Sequence, residues 1–123
     1  MKLRLAFLVF IFVACSEPEK ERIAVTGTAS YYADFFEGRE TGNGEIFSQN
    51  KLTAAHKTLA FGTMVKITNL SNQKEVVVKI NDRLPQDSER MIDLSKRAAK
   101  ELDFIEEGLA KVEMEILEKA DAD

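Results

Sequence analysis

Alternation of apolar and polar positions dominates the chain between residues 23 and 118. In "KVEMEIL", Val112, Met114 and Ile116 alternate with Glu113 and Glu115, the mark of a strand with one face buried. "VVVKIND" places Val76, Val78 and Ile80 on one face, and "MVKITNL" does the same with Val65 and Ile67. "TGTASYYA" is rich in residues that favour strands. The polar "SNQK" at 71–74 joins the two central strands as a hairpin turn. Ile46 and Phe47, after the glycine-rich "TGNG", predict a further strand start. "SKRAAKEL" reads differently. Ser95 is a good N-cap and strong helix formers follow it, which predicts a short helix over 96–102. Several short strands with one or two short helices predict an all-β fold, a compact barrel and not a parallel α/β sheet.

The segments before and after this pattern have another character. Lys2 and Arg4 precede an apolar run from Leu5 to Ala14. That run is too short for a membrane-spanning helix, which needs about 20 residues, and suits a secretory signal. It ends in "FVAC", similar to a bacterial lipoprotein signal, so residues 1–14 are expected to be removed and Cys15 lipidated. A lone cysteine in an exported chain is thereby accounted for, and the anchor holds the protein on a membrane without crossing it. Residues 15–22, with the charged "SEPEKER", read as a flexible tether. Residues 23–118 form one domain of ordinary small size, and 119–123 a disordered tail. With one cysteine in the chain, no intrachain disulfide holds the fold. The formal charge of −4 becomes −6 once Lys2 and Arg4 are lost, which makes nucleic acid a poor partner.

The chemistry must come from few groups. One histidine and one cysteine argue against a zinc site, which usually takes several such ligands. No "GxSxG" elbow and no phosphate-cradling glycine loop is present. No metal or cofactor is expected. Asp82 has the parity of Val76, Val78 and Ile80 and stands where another apolar residue would continue the strand face. A carboxyl against apolar walls favours its protonated form, the state a general acid needs. The structural alternative is an aspartate closing the turn before "RLP", paired with Arg83 or Arg90. Glu45 sits on a flexible turn, where functional groups concentrate but where glutamates are also simply solvated. His56, in "LTAAHKTLAFGT", is either a polar group of a site or an imidazole hydrogen-bonded within the barrel.

Taken together, "ASYY", "GRETGNGE", "LTAAHKTLAFGT", "VKITNL", "VVVKINDR" and "RMIDLSKRAA" occur in order between Gly27 and Leu102. This stretch resembles the rare lipoprotein A family of septal-ring lytic transglycosylases. The resemblance implies a six-stranded double-psi β-barrel of the kind found in expansins. It also implies cleavage of peptidoglycan between N-acetylmuramic acid and N-acetylglucosamine, leaving a 1,6-anhydro end. Three catalytic positions carry over: Asp82 as acid and base, Glu45 as stabiliser of developing positive charge or as the group that orients the sugar, and His56 as a hydrogen-bonding partner of the carboxylates or the N-acetyl group. A single acid/base contrasts with the carboxylate pair of ordinary glycosidases. Tyr31, Tyr32, Arg39, Asn43, Thr53, Asn81 and Arg83 complete the expected substrate-binding set. Tyr31 and Tyr32 are neighbours on a strand, so at most one of them faces the groove.

Two departures bear on the site. The family's "DRGP" is here "DRLP", and Leu84 lacks glycine's access to positive φ, so a different loop shape is expected beside Asp82. "TGNG" replaces "TANG". The expected partners are peptidoglycan glycan strands and cell-division proteins, with membrane contact through the anchor alone. The expected location is the periplasm, on the outer membrane. The competing function is a non-catalytic, expansin-like glycan-binding lipoprotein.

Overall fold

A computed structural model describes residues 23–120. The expected signal at 1–14, Cys15, the tether to residue 22 and tail residues 121–123 lie outside the described residues. Six strands are present among them: β1 (Ala24–Tyr31), β2 (Thr53–His56), β3 (Met64–Asn69), β4 (Glu75–Arg83), β5 (Ile92–Leu94) and β6 (Ala110–Glu118). One helix, α1 (Lys96–Glu101), and one 3-10 turn, Asp34–Phe36, accompany them. The strands close into a barrel in the order β1-β5-β2-β4-β3-β6. β1 runs parallel to β5 and β2 parallel to β4, while the other pairs are antiparallel. This is the mainly-β six-stranded barrel that the resemblance implies.

The alternation places the core. Val65, Ile67, Val78, Ile80, Ile92, Leu94 and Val112 are fully buried, with Val76 and Met114 nearly so. Each such side chain contributes on the order of 1.5–3 kcal/mol by leaving water. β3 and β4 form the expected hairpin, Thr68 opposite Glu75. Its turn is held by Asn69, whose Oδ1 accepts from the Ser71 N–H while its Nδ2 donates to the Leu102 carbonyl. Ser95 caps α1 by accepting from the Ala98 N–H at 3.3 Å. Ala98 and Ala99 are fully buried, and their small size lets the helix lie close on the barrel.

Two expectations need correction. No strand starts at Ile46. That segment makes a single bridge, Glu40 to Ile46; Ile46 is exposed and only Phe47 is buried, because the 41–45 turn ends the pairing. The simple alternation through Asp82 also fails. Against β2, Ala54 pairs with Ile80 but Ala55 pairs with Asp82, so Asn81 is an extra residue. Such a bulge interrupts the two-residue period and re-aims the side chains after it. Ile80 and Asn81 are both buried, and Asp82 emerges partly exposed at the barrel rim.

Gly27 marks a close approach between β1 and the segment leading into β5. A β-carbon there would stand 2.7 Å from the Met91 Cβ, so the backbone would have to move. Gly27→Ala is expected to destabilise the domain by about 1–3 kcal/mol, the usual cost of overpacking. Urea denaturation measures it; an unchanged midpoint would show that the approach is not limiting.

Candidate active site

Asp82 stands in the wall of a cavity of about 510 Å³, with Tyr32, Phe36, Arg83, Leu84, Arg90 and Asp93 among its other lining residues. Its carboxylate collects three donors from separate parts of the chain. The Tyr32 hydroxyl donates to Oδ2 at 2.5 Å, and the Gly42 and Arg83 backbone N–H groups donate to Oδ1 at 2.8 and 2.9 Å. Its immediate partners are therefore polar, not the apolar walls that strand parity suggested. The Gly42 contact needs a bare Cα, since a β-carbon would lie 3.0 Å from the Phe61 ring and 3.2 Å from Asp82 Oδ1. Burial, and then the Asp82 carboxylate, push the Tyr32 phenol well above its ordinary value, so it remains a donor. Arg90 is not the partner of Asp82. It forks onto Asp93 at 2.8 and 3.1 Å, and Asp93 also accepts from the Ser30 hydroxyl.

Glu45 lies on the far side of the 41–45 turn that supplies the Gly42 amide. Its Oε1 accepts from Lys79 Nζ at 2.8 Å and Asn43 Nδ2 at 2.7 Å, and Oε2 from Asn81 Nδ2 at 3.3 Å. Lys79, then Asn43, hold its carboxyl down at about 2, so Glu45 is an anion across the neutral range. Asn43 orders the turn as well: its Oδ1 accepts from the Glu45 N–H, and its own N–H donates to the Asn81 carbonyl. Asn81 thus joins the Glu45 cluster, with its buried Oδ1 unpartnered among the described residues.

His56 ends β2, paired in register with Arg83. Its Nδ1 accepts from the Thr58 and Leu59 N–H groups, both at 3.1 Å, which assigns the ring proton to Nε2. Burial, with the charges of Arg83 and Lys57, pushes the imidazole below its usual value, so it is neutral at pH 7. The bonds it makes go to its own turn and not to a carboxylate, one of its two expected partners, and it is not among the residues lining the cavity of Asp82.

The rest of the expected binding set divides. Tyr32 is the tyrosine that reaches the acid, but Phe47 stacks on its ring at 4.2 Å, so that face is closed to a sugar. Tyr31 borders the cavity while its hydroxyl donates to the Ile105 carbonyl and its ring packs on Phe104. Arg83 lines the cavity, its guanidinium over Phe61 at 4.1 Å. Arg39 is elsewhere, stacked on Phe35 at 3.6 Å. Thr53 is buried inside the sheet. Leu84 does not have positive φ, which at non-glycine residues is confined to Gln73 and Asp103 among the described residues, and its side chain is buried. The residues missed from sequence are Lys79, Gly42, Ser30, Asp93, Arg90 and Phe36. Asp93 and Arg90 stood inside "RMIDLS", and only their shared cavity with Asp82 sets them apart.

The chain is thus a closed six-stranded barrel with a carboxylate held in a cavity at its rim. The family described as lytic transglycolase matches residues 24–114, and the chain belongs to that family. The probable endolytic peptidoglycan transglycosylase RlpA of Treponema pallidum is 55% identical over 92 residues, 75% of this chain and 29% of that protein. The endolytic peptidoglycan transglycosylase RlpA of Campylobacter jejuni is 50% identical over 91 residues, 74% of this chain and 33% of that one. The chain thus spans about a third of the length of these curated relatives. Among solved structures, the Streptomyces papain inhibitor is similar with a TM-score of 0.64 at 19% identity, covering 78% of this chain and 96% of its own. A Clavibacter michiganensis expansin variant in complex with cellohexaose gives 0.63 at 17% identity, covering 82% and 54%. Both share the fold.

The Glu45–Lys79 pair predicts a pH dependence with a definite sign. A depressed carboxyl contributes stability above its unfolded value near 4.5 and loses it as pH falls towards about 2. Lys79→Met is expected to raise the Glu45 value, read by carboxyl-carbon NMR. The stability gap between the two proteins should be full at pH 6 and close as pH drops through that window. A Glu45 titration unchanged by the substitution would show that Lys79 is not its main partner.

Proposed function

We propose that the domain is an endolytic lytic transglycosylase that cleaves peptidoglycan glycan strands between N-acetylmuramic acid and N-acetylglucosamine. One observation carries this reading. Of the two carboxylates that line the cavity, Asp93 is paired with Arg90; Glu45, outside that lining, is paired with Lys79. Asp82 is held by a phenol and two backbone amides. Asp82 is thus the cavity carboxylate with no ion-pair partner among the described residues, and a carboxyl within hydrogen-bond reach of a bound glycan can donate a proton and take one back.

The reaction balances with that single group. Protonated Asp82 donates to the glycosidic oxygen as the bond from the muramic C1 breaks, releasing the N-acetylglucosamine hydroxyl. The muramic 6-hydroxyl attacks C1 and gives its proton to the Asp82 carboxylate, so no water is consumed. Tyr32 and the two amides hold the carboxylate in place through both steps. The ionised Glu45 favours the positive charge that develops on the sugar, and neutral His56 offers Nε2–H as a donor. The same reading places the protein in the periplasm, anchored through a lipidated Cys15 to the outer membrane. There it remodels wall at the septum alongside cell-division proteins. The family match and the relatives' names support the glycan substrate; "FVAC" supports the anchor.

Asp82→Asn is expected to abolish anhydromuropeptide release from purified sacculi, read by mass spectrometry. General acid/base groups contribute about 10²- to 10⁴-fold in rate. A folded variant that releases product at the wild-type rate removes Asp82 as the acid. A wild type that binds sacculi but releases nothing makes the domain an expansin-like binding module.

Cys15→Ala is expected to move the protein out of the membrane fraction and to stop labelling with palmitate analogues. Wild-type protein found unlabelled and free in the periplasm would exclude the anchor.

A further inference from the structure

The 3-10 turn Asp34–Phe36 holds two phenylalanines in solvent, Phe35 at 65% and Phe36 at 41% exposure. The turn is well anchored. Lys96 Nζ pairs with Asp34 at 3.2 Å, Gln49 Nε2 donates to the Tyr32 carbonyl at 2.8 Å, and the Gln49 N–H donates to Glu37 at 2.7 Å. The rings are thus presented by a braced segment. Phe36 lines the same cavity as Asp82. Its ring meets Tyr32 nearly at right angles, with centroids 5.6 Å apart, and Tyr32 bonds the Asp82 carboxylate. Phe35 packs edge-on against Phe36 at 5.3 Å, and the Arg39 guanidinium lies over the Phe35 ring. Three aromatic side chains line the cavity: Tyr31 is engaged by Phe104 and Ile105 and Tyr32 by Phe47 and Asp82, while Phe36, with the Arg39 guanidinium 6.0 Å from its ring centroid, is 41% exposed.

We propose that Phe36 is a sugar-stacking subsite, taking the C–H face of the pyranose beside the bond held at Asp82. A pyranose presents a patch of apolar, slightly positive C–H groups, and an aromatic ring presents a negative face that attracts them while both leave water. The continuity of this ring with the cavity of the acid fixes the occupant as a ring of the same glycan strand. The inference rests on the glycan-cleaving reading for its substrate.

The test uses the full chain with Phe36→Ala, Phe36→Leu and Phe36→Trp, each checked by thermal melt. Two quantities are read: co-sedimentation with purified sacculi, and the kcat and KM for anhydro-product release from soluble uncrosslinked glycan strands. Alanine and leucine are expected to weaken binding and raise KM by roughly 3- to 10-fold, the range of one aromatic contact. Their kcat should stay within about twofold, and tryptophan should restore binding. A leucine variant that binds like wild type overturns the proposal, because the ring is then dispensable. A loss confined to kcat also overturns it, since Phe36 would then act only through Tyr32 on Asp82. If the wild type releases no anhydro product while binding still depends on the ring, the subsite stands and the catalytic reading falls.

Discussion

Strand β4 serves the core and the site at once, and the extra residue at Asn81 lets it do so. Up to Ile80 the strand sends Val76, Val78 and Ile80 into the barrel. A regular continuation would give every second side chain to the interior. The bulge against β2 breaks that count, so Asn81 turns inward towards Glu45 and Asp82 comes out at the rim. Glu45 and Asp82 are therefore served by adjacent residues of one strand, on either side of the 41–45 turn. With the bulge at Asn81, Asp82 meets the Tyr32 and Gly42 donors.

The turn completes what the bulge begins. Its Gly42 amide reaches Asp82, its Asn43 side chain holds Glu45, and the Asn43 N–H returns to the Asn81 carbonyl. These contacts divide the work between the two carboxyl groups by the kind of partner each has. A lysine ammonium pairs with one; a phenol and two backbone amides hold the other. The two carboxyl groups thus differ in their surroundings, which come from what the fold brings to each.

The barrel alone does not specify a reaction. A papain inhibitor and an expansin share it at less than 20% identity, which is what a scaffold that hosts grafted sites would show. The chemistry here resides in the rim: one bulged strand end, one glycine-rich turn, and a braced aromatic turn beside them. Leu84 belongs to that rim as well: it lines the cavity and is buried, without positive φ.

The alternation in β3, β4 and β6, the hairpin at 71–74 and the capped helix after Ser95 were legible in the residues themselves, while Glu45, His56 and Asp82 were singled out together only by the resemblance. They follow from local rules: two-residue alternation, turn and cap chemistry, and a run of motifs in family order. Other features depend on which segments meet. Thr53 and Arg39 belong to motifs, yet one is buried in the sheet and the other is spent on Phe35, because a motif does not say which way its side chains point. His56 bonds its own turn, and Tyr31 turns to Ile105, for the same reason. Lys79 looked like the polar residue of an alternating strand until the fold brought Glu45 to it from 34 residues away. The bulge was invisible because it is a relation between β2 and β4, and no single strand's sequence carries it. Sequence determined the elements and the chemical groups at hand; only closure of the barrel decided which carboxyl meets a cation and which meets a phenol, since those partners come from distant parts of the chain.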